Sequence, residues 1–461
     1  MKELLQKIES VVGPTGLLTG DDVSSRQASW AQQEPCGAGA IVRPANTEEV
    51  SKVMRLCHEA GQAVVPCGGN TGLVRGTNAT AHEIMLSTEL MTAIEDVDPA
   101  GCTMTVQAGA ILQNVHDKAD AADLYFPLDF GARGSAAIGG TLSTNAGGNS
   151  VIRFGMAREQ VLGLEAVLAD GTIVSSMNNM LKNNAGYDLK QLFIGTEGTL
   201  GIITRAVLRL RPALRSQNTA FVAVDEFGKI PVLLRELGAL LGGTLNAFEV
   251  LWSDYYQLIL GASDEHTPPV APDHPFYILI ESRGGDQQAD AARFEHALEA
   301  VFEKELVADA SLATSSTQRD AMWAIRDDIE NLMKALYPPI AFDISVPISD
   351  ANTYVENVKA GLAKHFPDTG RTVTFGHLGD SNIHFVMTIG NYDPQQVGLA
   401  MNIVYENLKP FGGSISAEHG IGLEKKPFLP YSRSEVEIGL MQRLKDALDP
   451  KGILNPGKVL N

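Results

Sequence analysis

The 461-residue chain is short of several things. Cysteine occurs only at Cys36, Cys57, Cys67 and Cys102, all in the first quarter, with no CxxC pair and no regular spacing. That excludes a disulfide framework and fits a reducing compartment. Basic residues are outnumbered, 36 Lys and Arg against 55 Asp and Glu, for a formal net charge of −19. So acidic a surface repels phosphate backbones and anionic lipids, which argues against nucleic acid and polybasic membrane docking. No apolar run reaches the roughly 18 residues of a bilayer-spanning helix. The N-terminal MKELLQKIESVVG has the spacing of a short amphipathic helix and lacks the apolar core of a signal peptide. No internal repeat, heptad run or low-complexity segment occurs. The expectation is a cytoplasmic protein with no integral membrane segment.

Apolar residues make up 44% and charged residues 20%, ordinary for a globular chain. At roughly 100–200 residues per domain, the length predicts two to four domains. From about 40 to 210, short β-rich runs (AIVRP, AVVPCGG, TMTVQAGA, EAVLADGTIV, LGIITRAVLRLRP) are separated by glycine-rich turns, with helical stretches at 47–61 and 110–122. Asp170-Gly171 marks a hairpin turn. From about 214 the pattern changes to longer helical segments (227–241, 286–305, 319–336, 350–365) alternating with strands such as FYILIES, IAFDISVPI, TVTFGHL and NIHFVMTI. The Pro-rich acidic stretch 264–275 reads as an exposed loop. The tail holds a glycine turn, a helix over 434–448 and the turn DPKGILNPGK. The fold class is α+β, with a first domain over 1–213, a second over 214–424, and a segment 425–461 that returns to complete the first.

Glycine is enriched, at 45 residues against a usual share of roughly 7%, and it clusters. The strand AVVP runs into Cys67-Gly68-Gly69-Asn70-Thr71-Gly72, where backbone N–H groups can converge on an anion such as a pyrophosphate. No Lys-Ser/Thr follows, so this is not a Walker A loop. Nor does it match GxGxxG opening a crossover helix, so a nicotinamide site is not supported. By itself it is as well read as a plain turn. A second block, 131–155, has seven glycines in 25 residues. It leaves many backbone groups needing a partner, for which an extended ligand is one solution. A third, Gly195-Thr196-Glu197-Gly198-Thr199-Leu200-Gly201, opens a strand. Together the three favour a large phosphate-bearing cofactor.

PCGGNTGLVRG, GGTLSTNAGG and GTEGTLGIIT, in that order, resemble the FAD-binding domain of the vanillyl-alcohol oxidase superfamily. The resemblance implies that FAD is held by Pro66, Cys67, Gly68, Gly69, Asn70, Thr71, Gly72 and Leu73 at the pyrophosphate. It further implies Pro127, Gly139, Gly140, Ser143, Thr144, Asn145, Gly147 and Gly148 along the ring and ribityl chain, with Glu197, Gly198, Gly201, Ile202 and Asn455. Some members bind flavin covalently through a His. No His lies in these loops, so the FAD is expected to be non-covalent, with Cys67 the one nucleophile that could contradict this.

A second signal lies further on. If the turn LGDSN folds back, His377 and His384 become near neighbours across two strands, at a separation suited to one cation. By themselves they also suit a polar pair at a sheet end. In SAEHGIG, Glu418 and His419 point opposite ways in an extended chain, so one can bind a metal while the other flanks it. Together GHLGDSNIH and SAEHGIGLEKKPFL resemble the C-terminal half of the FAD-linked D-2-hydroxyacid dehydrogenases. That resemblance implies His377, His384 and Glu418 as ligands of a divalent metal, Zn²⁺ before Mn²⁺, Fe²⁺ or Co²⁺, and His419 as general base. It implies Arg326, in MWAIR, as the partner of the substrate carboxylate; the competing reading is a surface ion pair with Asp327 and Asp328.

The implied reaction is oxidation of a D-2-hydroxy acid of the D-2-hydroxyglutarate, D-lactate or D-malate class. An electron-transfer flavoprotein or a quinone is implied as acceptor, and a homodimer as assembly. Against the five-carbon diacid, Ala341 stands where the hydroxyglutarate enzymes would carry a lysine, and Val386 where a polar residue would suit. Lys334 or Lys425 could supply the charge from elsewhere. Two rivals remain: a group-transfer enzyme of the alkylglycerone-phosphate synthase type, and a metal-binding protein without flavin.

Overall fold

In the computed structural model, which describes residues 1–29, 32–263, 265–368 and 370–460, the chain divides into two units. The first comprises Met1–Gly148, Phe154–Ala213 and Glu418–Asn461; the second comprises Asn149–Arg153 and Leu214–Ala417. The tail therefore returns from Glu418, seven residues ahead of the boundary read from the sequence.

Among the described residues the first unit holds a four-stranded and a five-stranded sheet, besides two two-stranded pairs. In the smaller, Ala40–Val42 and Val64–Cys67 both pair parallel with Ile84–Ser87, and the connection runs through the helix Thr47–Ala60. Asn46 caps that helix, accepting from the Glu49 N–H at 3.0 Å. In the larger, Ile173–Ser176, Val161–Val167, Ile202–Arg209, Thr103–Gln107 and Ile94–Asp98 lie side by side, all antiparallel. The expected hairpin is there: Val167 pairs with Ile173, and Gly171, at φ +84°, turns the chain.

The tail is stitched into this unit. Ile453 and Leu454 are buried in the core beneath the smaller sheet, and Val64 N–H donates to Ile453 O at 2.8 Å. The helix Glu435–Leu448 starts at a capping box on Ser434 and Glu437. At its end Lys445 Nζ donates to Asp449 at 2.5 Å, Thr199 O at 2.9 Å and Leu454 O at 2.6 Å. Asp449, itself buried, accepts the N–H groups of Ile453 and Leu454.

The second unit is one antiparallel seven-stranded sheet. Its order is Asp309–Leu312, Ser216–Val224, Phe276–Gly284, Leu245–Trp252, Arg371–Gly376, Asn382–Thr388 and Ile340–Ser345. The Leu245–Trp252 strand is buried on both faces, with no alternation that sequence reading could use. Helices pack on Tyr255, Tyr256, Tyr277 and Phe375. The expected helix over 319–336 is two, Ser316–Arg326 and Ile329–Ala335. The break falls at Asp327-Asp328, because Asp328 caps the second helix by accepting from Asn331 N–H at 3.1 Å. No helix or strand forms over 265–275, and Asp264 of that stretch lies outside the described residues.

Replacing Lys445 by Met leaves the buried Asp449 carboxylate without its cation. We expect a loss of about 3–5 kcal/mol in unfolding free energy, read by denaturant unfolding against the parent.

Candidate active site

The Arg371–Gly376 and Asn382–Thr388 strands pair so that His384 lies opposite Phe375. His377 follows the first strand, and a 3₁₀ turn over Leu378–Asp380 reverses the chain through Ser381 at φ +75°. His377 is thus not the direct cross-strand partner of His384. Their rings nonetheless meet edge to face, with centroids 5.2 Å apart at 81°. On its other side His384 pairs with Asp343. That fully buried carboxylate accepts from Asn382 Nδ2 at 2.7 Å and lies 3.9 Å from His384 Nδ1.

A residue that sequence reading missed organises the group. Glu249, 1% exposed, lies in the Leu245–Trp252 strand, which pairs with the strand leading to His377. Its Oε1 is 2.7 Å from His377 Nδ1, and its Oε2 accepts from Arg326 Nε at 2.9 Å. Burial opposes ionisation of this carboxyl. The charges and hydrogen bonds of His377 and Arg326 outweigh it and hold the pKa at about 2. An ionised carboxylate only accepts, so His377 Nδ1 donates to it, and in the neutral ring Nε2 is then an acceptor. The one hint in the sequence was a lone carboxylate inside the apolar run AFEVLW.

Arg326 ends the first of the two helices and is itself buried, although its ion pair with Asp327 reaches a half-exposed carboxylate. Besides Glu249 it reaches Asp327 at 3.2 Å, and its Nη2 lies 3.2 Å from His377 Nε2. Of the five guanidinium N–H groups, three are engaged in this way, and two remain that could meet an anion.

Glu418 is the junction residue between the units, one peptide bond from Ala417. The backbone is fixed just before it: Ser414 bridges Ser345, and Ala417 N–H donates to Asp343 O at 3.3 Å. Ligand atoms of His377, His384 and Glu418 lie within 4.8 Å of one another, and bonds of about 2.0–2.2 Å to one ion would draw them slightly closer. Gly147 is needed here, since a Cβ at that position would stand 2.2 Å from Glu418 Oε1. His419 is half-buried beside it.

The glycine loops lie together in the first unit. Gly198 rests on Pro66, and Gly68 faces Gly140 closely enough that a Cβ would stand 3.3 Å from its nitrogen. Among the described residues, no hydrogen bond is donated by the backbone N–H groups of 68–73, as an anion nest requires. The middle block is not extended throughout. Ile138–Ser143 is a short helix, and Ser143 and Thr144 hydroxyls bond back to Gly139 O and Gly140 O. Several side chains expected at the cofactor also hold neighbouring backbone. Asn70 donates to Gln27 O, Asn145 accepts from Arg158 N–H, and Asn455 donates to Glu197 O. Gly148 packs on Asp129 and Gly201 on Phe193, and Ile202 begins the strand. Cys67 is buried, which pushes its thiol up to about 12.

A glycine-loop unit able to seat a large anionic cofactor, and a sheet unit carrying a buried imidazole–carboxylate–guanidinium group, define a cofactor-dependent oxidoreductase or transferase. Comparison with known proteins narrows this. Residues 213–459 match the family of FAD linked oxidases, C-terminal domain, and residues 38–176 match an FAD binding domain. The chain is 38% identical over 438 residues to the mitochondrial D-2-hydroxyglutarate dehydrogenase of Arabidopsis thaliana, covering 95% of this chain and 78% of that protein. It is 33% identical to a D-2-hydroxyglutarate–pyruvate transhydrogenase of Saccharomyces cerevisiae, covering 95% of this chain and 90% of that one. Among solved structures, alkyldihydroxyacetonephosphate synthase superposes with a TM-score of 0.76 at 17% identity, covering 99% of this chain and 86% of that one. That likeness shows the fold, which is of the vanillyl-alcohol oxidase type. The chain belongs to the family of FAD-linked D-2-hydroxyacid dehydrogenases, and it is an FAD-dependent oxidoreductase. Among the described residues no helix is long and apolar enough to cross a membrane.

Glu249→Gln keeps the shape but cannot hold both donors. We expect Zn²⁺ affinity, by titration calorimetry on chelator-treated protein, to fall about 10–100-fold, with flavin absorbance unchanged.

Proposed function

We propose that the protein oxidises a D-2-hydroxy acid to the 2-oxo acid, using non-covalent FAD and a divalent ion, Zn²⁺ first, at His377, His384 and Glu418. The observation that carries the reading is the approach of those three ligand groups, with the His377 tautomer fixed by Glu249. FAD, when bound, supplies the hydride acceptor. The ion, when bound, supplies Lewis acidity toward the substrate's hydroxyl and carboxylate oxygens. Arg326 meets the carboxylate with its remaining N–H groups. His419 takes the hydroxyl proton. Loss of that proton and of the α-hydrogen with its electron pair completes a two-electron oxidation.

The absence of His from the loops and the high pKa of the buried Cys67 thiol support non-covalent flavin. Four free cysteines support a reducing, cytoplasmic setting. An electron-transfer flavoprotein or quinone reoxidises the flavin. A 2-oxo acid in that role, as the yeast relative's name describes, is the competing outcome of an acceptor screen.

The sheet bears on substrate choice. Ala341 lies directly opposite Val386, two residues along from the Asp343–His384 pair and on the same face. Lys334 is exposed and bonded to Glu330 at 2.6 Å, so it does not supply the missing cation. This apolar pair favours a substrate with a short or uncharged tail over a dicarboxylate.

The purified protein is expected to be yellow, with absorbance near 450 nm; colourless protein would mean the loops are only turns. With a dye acceptor, a short D-2-hydroxy monoacid such as D-lactate is expected to exceed D-2-hydroxyglutarate in kcat/KM by at least about tenfold, and the L-acids to be inert. No net dye reduction by any acid would favour the group-transfer rival. His419→Ala is expected to keep its flavin and lose about 10²–10⁴-fold in turnover. EDTA should abolish activity, and Zn²⁺ or Mn²⁺ restore it. Full speed in demonstrably metal-free enzyme refutes the metal role.

A further inference from the structure

Glu197 lies in the third glycine loop, and the family resemblance counts it among the cofactor residues. Its carboxylate is engaged elsewhere. Oε1 accepts from the Ile421 N–H at 2.6 Å and Oε2 from the Gly422 N–H at 2.9 Å. These amides follow Glu418 and His419 by only a few residues, and all of them belong to the first unit. The backbone of Glu197 is committed too. It sits at φ +53°, an uncommon conformation for a glutamate. Its N–H donates to Ser143 O at 2.8 Å, in the middle glycine block. Its carbonyl accepts at 2.7 Å from Asn455 Nδ2, which also donates to Gly76 O at 3.3 Å.

The tail is shaped to receive this carboxylate. Gly420 sits at φ +86°, and a Cβ there would stand 2.8 Å from Glu197 Oε1. Leu423 N–H donates to Val74 O at 3.0 Å, just past the first glycine loop. Burial pushes the Glu197 carboxyl pKa upward, while the two amides and Lys425 pull the other way. A buried carboxylate that accepts two backbone N–H groups holds a turn rigidly, because releasing it leaves three polar groups unpaired.

We propose that Glu197 is a positioning residue. Its carboxylate seats the 420–422 turn and so fixes Glu418 and His419, and one residue of a cofactor loop thereby sets the general base and the carboxylate ligand. The kinetic consequence rests on the reading of His419 given above, whereas the geometric consequence does not.

The test uses the FAD-loaded full chain with Glu197→Gln, Glu197→Ala and, approaching from the other partner, Gly420→Ala. Flavin content per protein, read near 450 nm, is expected to stay at the parent value. The rate of flavin reduction by the best D-2-hydroxy acid should fall at least about tenfold in Glu197→Ala and Gly420→Ala. It should fall less in Glu197→Gln, which keeps one acceptor, and the KM should move less than about twofold. Hydrogen exchange of the 418–424 peptide should quicken in the same order. Loss of FAD from Glu197→Gln would overturn the proposal in favour of a direct cofactor contact. A lowered melting temperature with reduction rate and exchange unchanged would overturn it in favour of a merely structural role. Should no D-2-hydroxy acid reduce the parent flavin, the functional reading fails by itself, and exchange at 418–424 alone decides for or against the positioning role.

Discussion

An ionised carboxylate in a strand buried on both faces is the constraint on which the site depends. Desolvating one such ion costs several kcal/mol, and Glu249 tolerates it only because His377 and Arg326 both donate to it. Neither donor can move without exposing that cost, so the carboxylate fixes the tautomer of one and the direction of the other. The strand order is what allows this. Leu245–Trp252 must lie beside Arg371–Gly376, and Arg326 must end a helix over the same sheet face. The aromatic floor of Tyr255 and Phe375, with centroids 4.4 Å apart, keeps the group dry.

The same device recurs in the first unit. Asp449 gathers two backbone N–H groups and the Lys445 ammonium where the tail meets the core. Glu197 gathers two more where the tail passes the glycine loops. Glu197 joins segments 224 residues apart, whereas Asp449 closes a local turn whose Lys445 carries the link on to Thr199 O. Apolar burial would tolerate sliding, whereas two or three converging N–H groups do not. For a chain whose first unit is assembled from three separate stretches, that difference decides how reproducibly the stretches meet.

How much was legible in advance follows from the range of each interaction. The glycine loops and GHLGDSNIH are local signals, and the turn in the latter does fold back between two strands. Register was less legible. A 3₁₀ turn and a left-handed Ser381 shift His384 opposite Phe375, although the two imidazoles still meet. The helix over 319–336 was over-read because Asp327-Asp328 looked like surface charge, while Asp328 in fact stops one helix and starts another. Glu249 was invisible because its partner is 128 residues away and its strand has no period to read. Glu197 was legible as a loop residue but not as an anchor, since nothing local reveals that its carboxylate meets residue 421.

Charge balance carries the argument about substrate one step further. The buried group already holds Glu249 and Asp343, and Arg326 spends one N–H each on Glu249, Asp327 and His377. A substrate carboxylate uses what remains of that cation. A second carboxylate, reaching past His384 along the same face, meets Ala341 and Val386, neither of which can donate a hydrogen bond from its side chain. Burying an unpaired anion there costs far more than the contact area returns. A methyl or other apolar tail in the same place gains about 25 cal/mol per Å² of surface covered. The sign of that difference does not depend on the exact pose, only on the tail running along this face of the sheet.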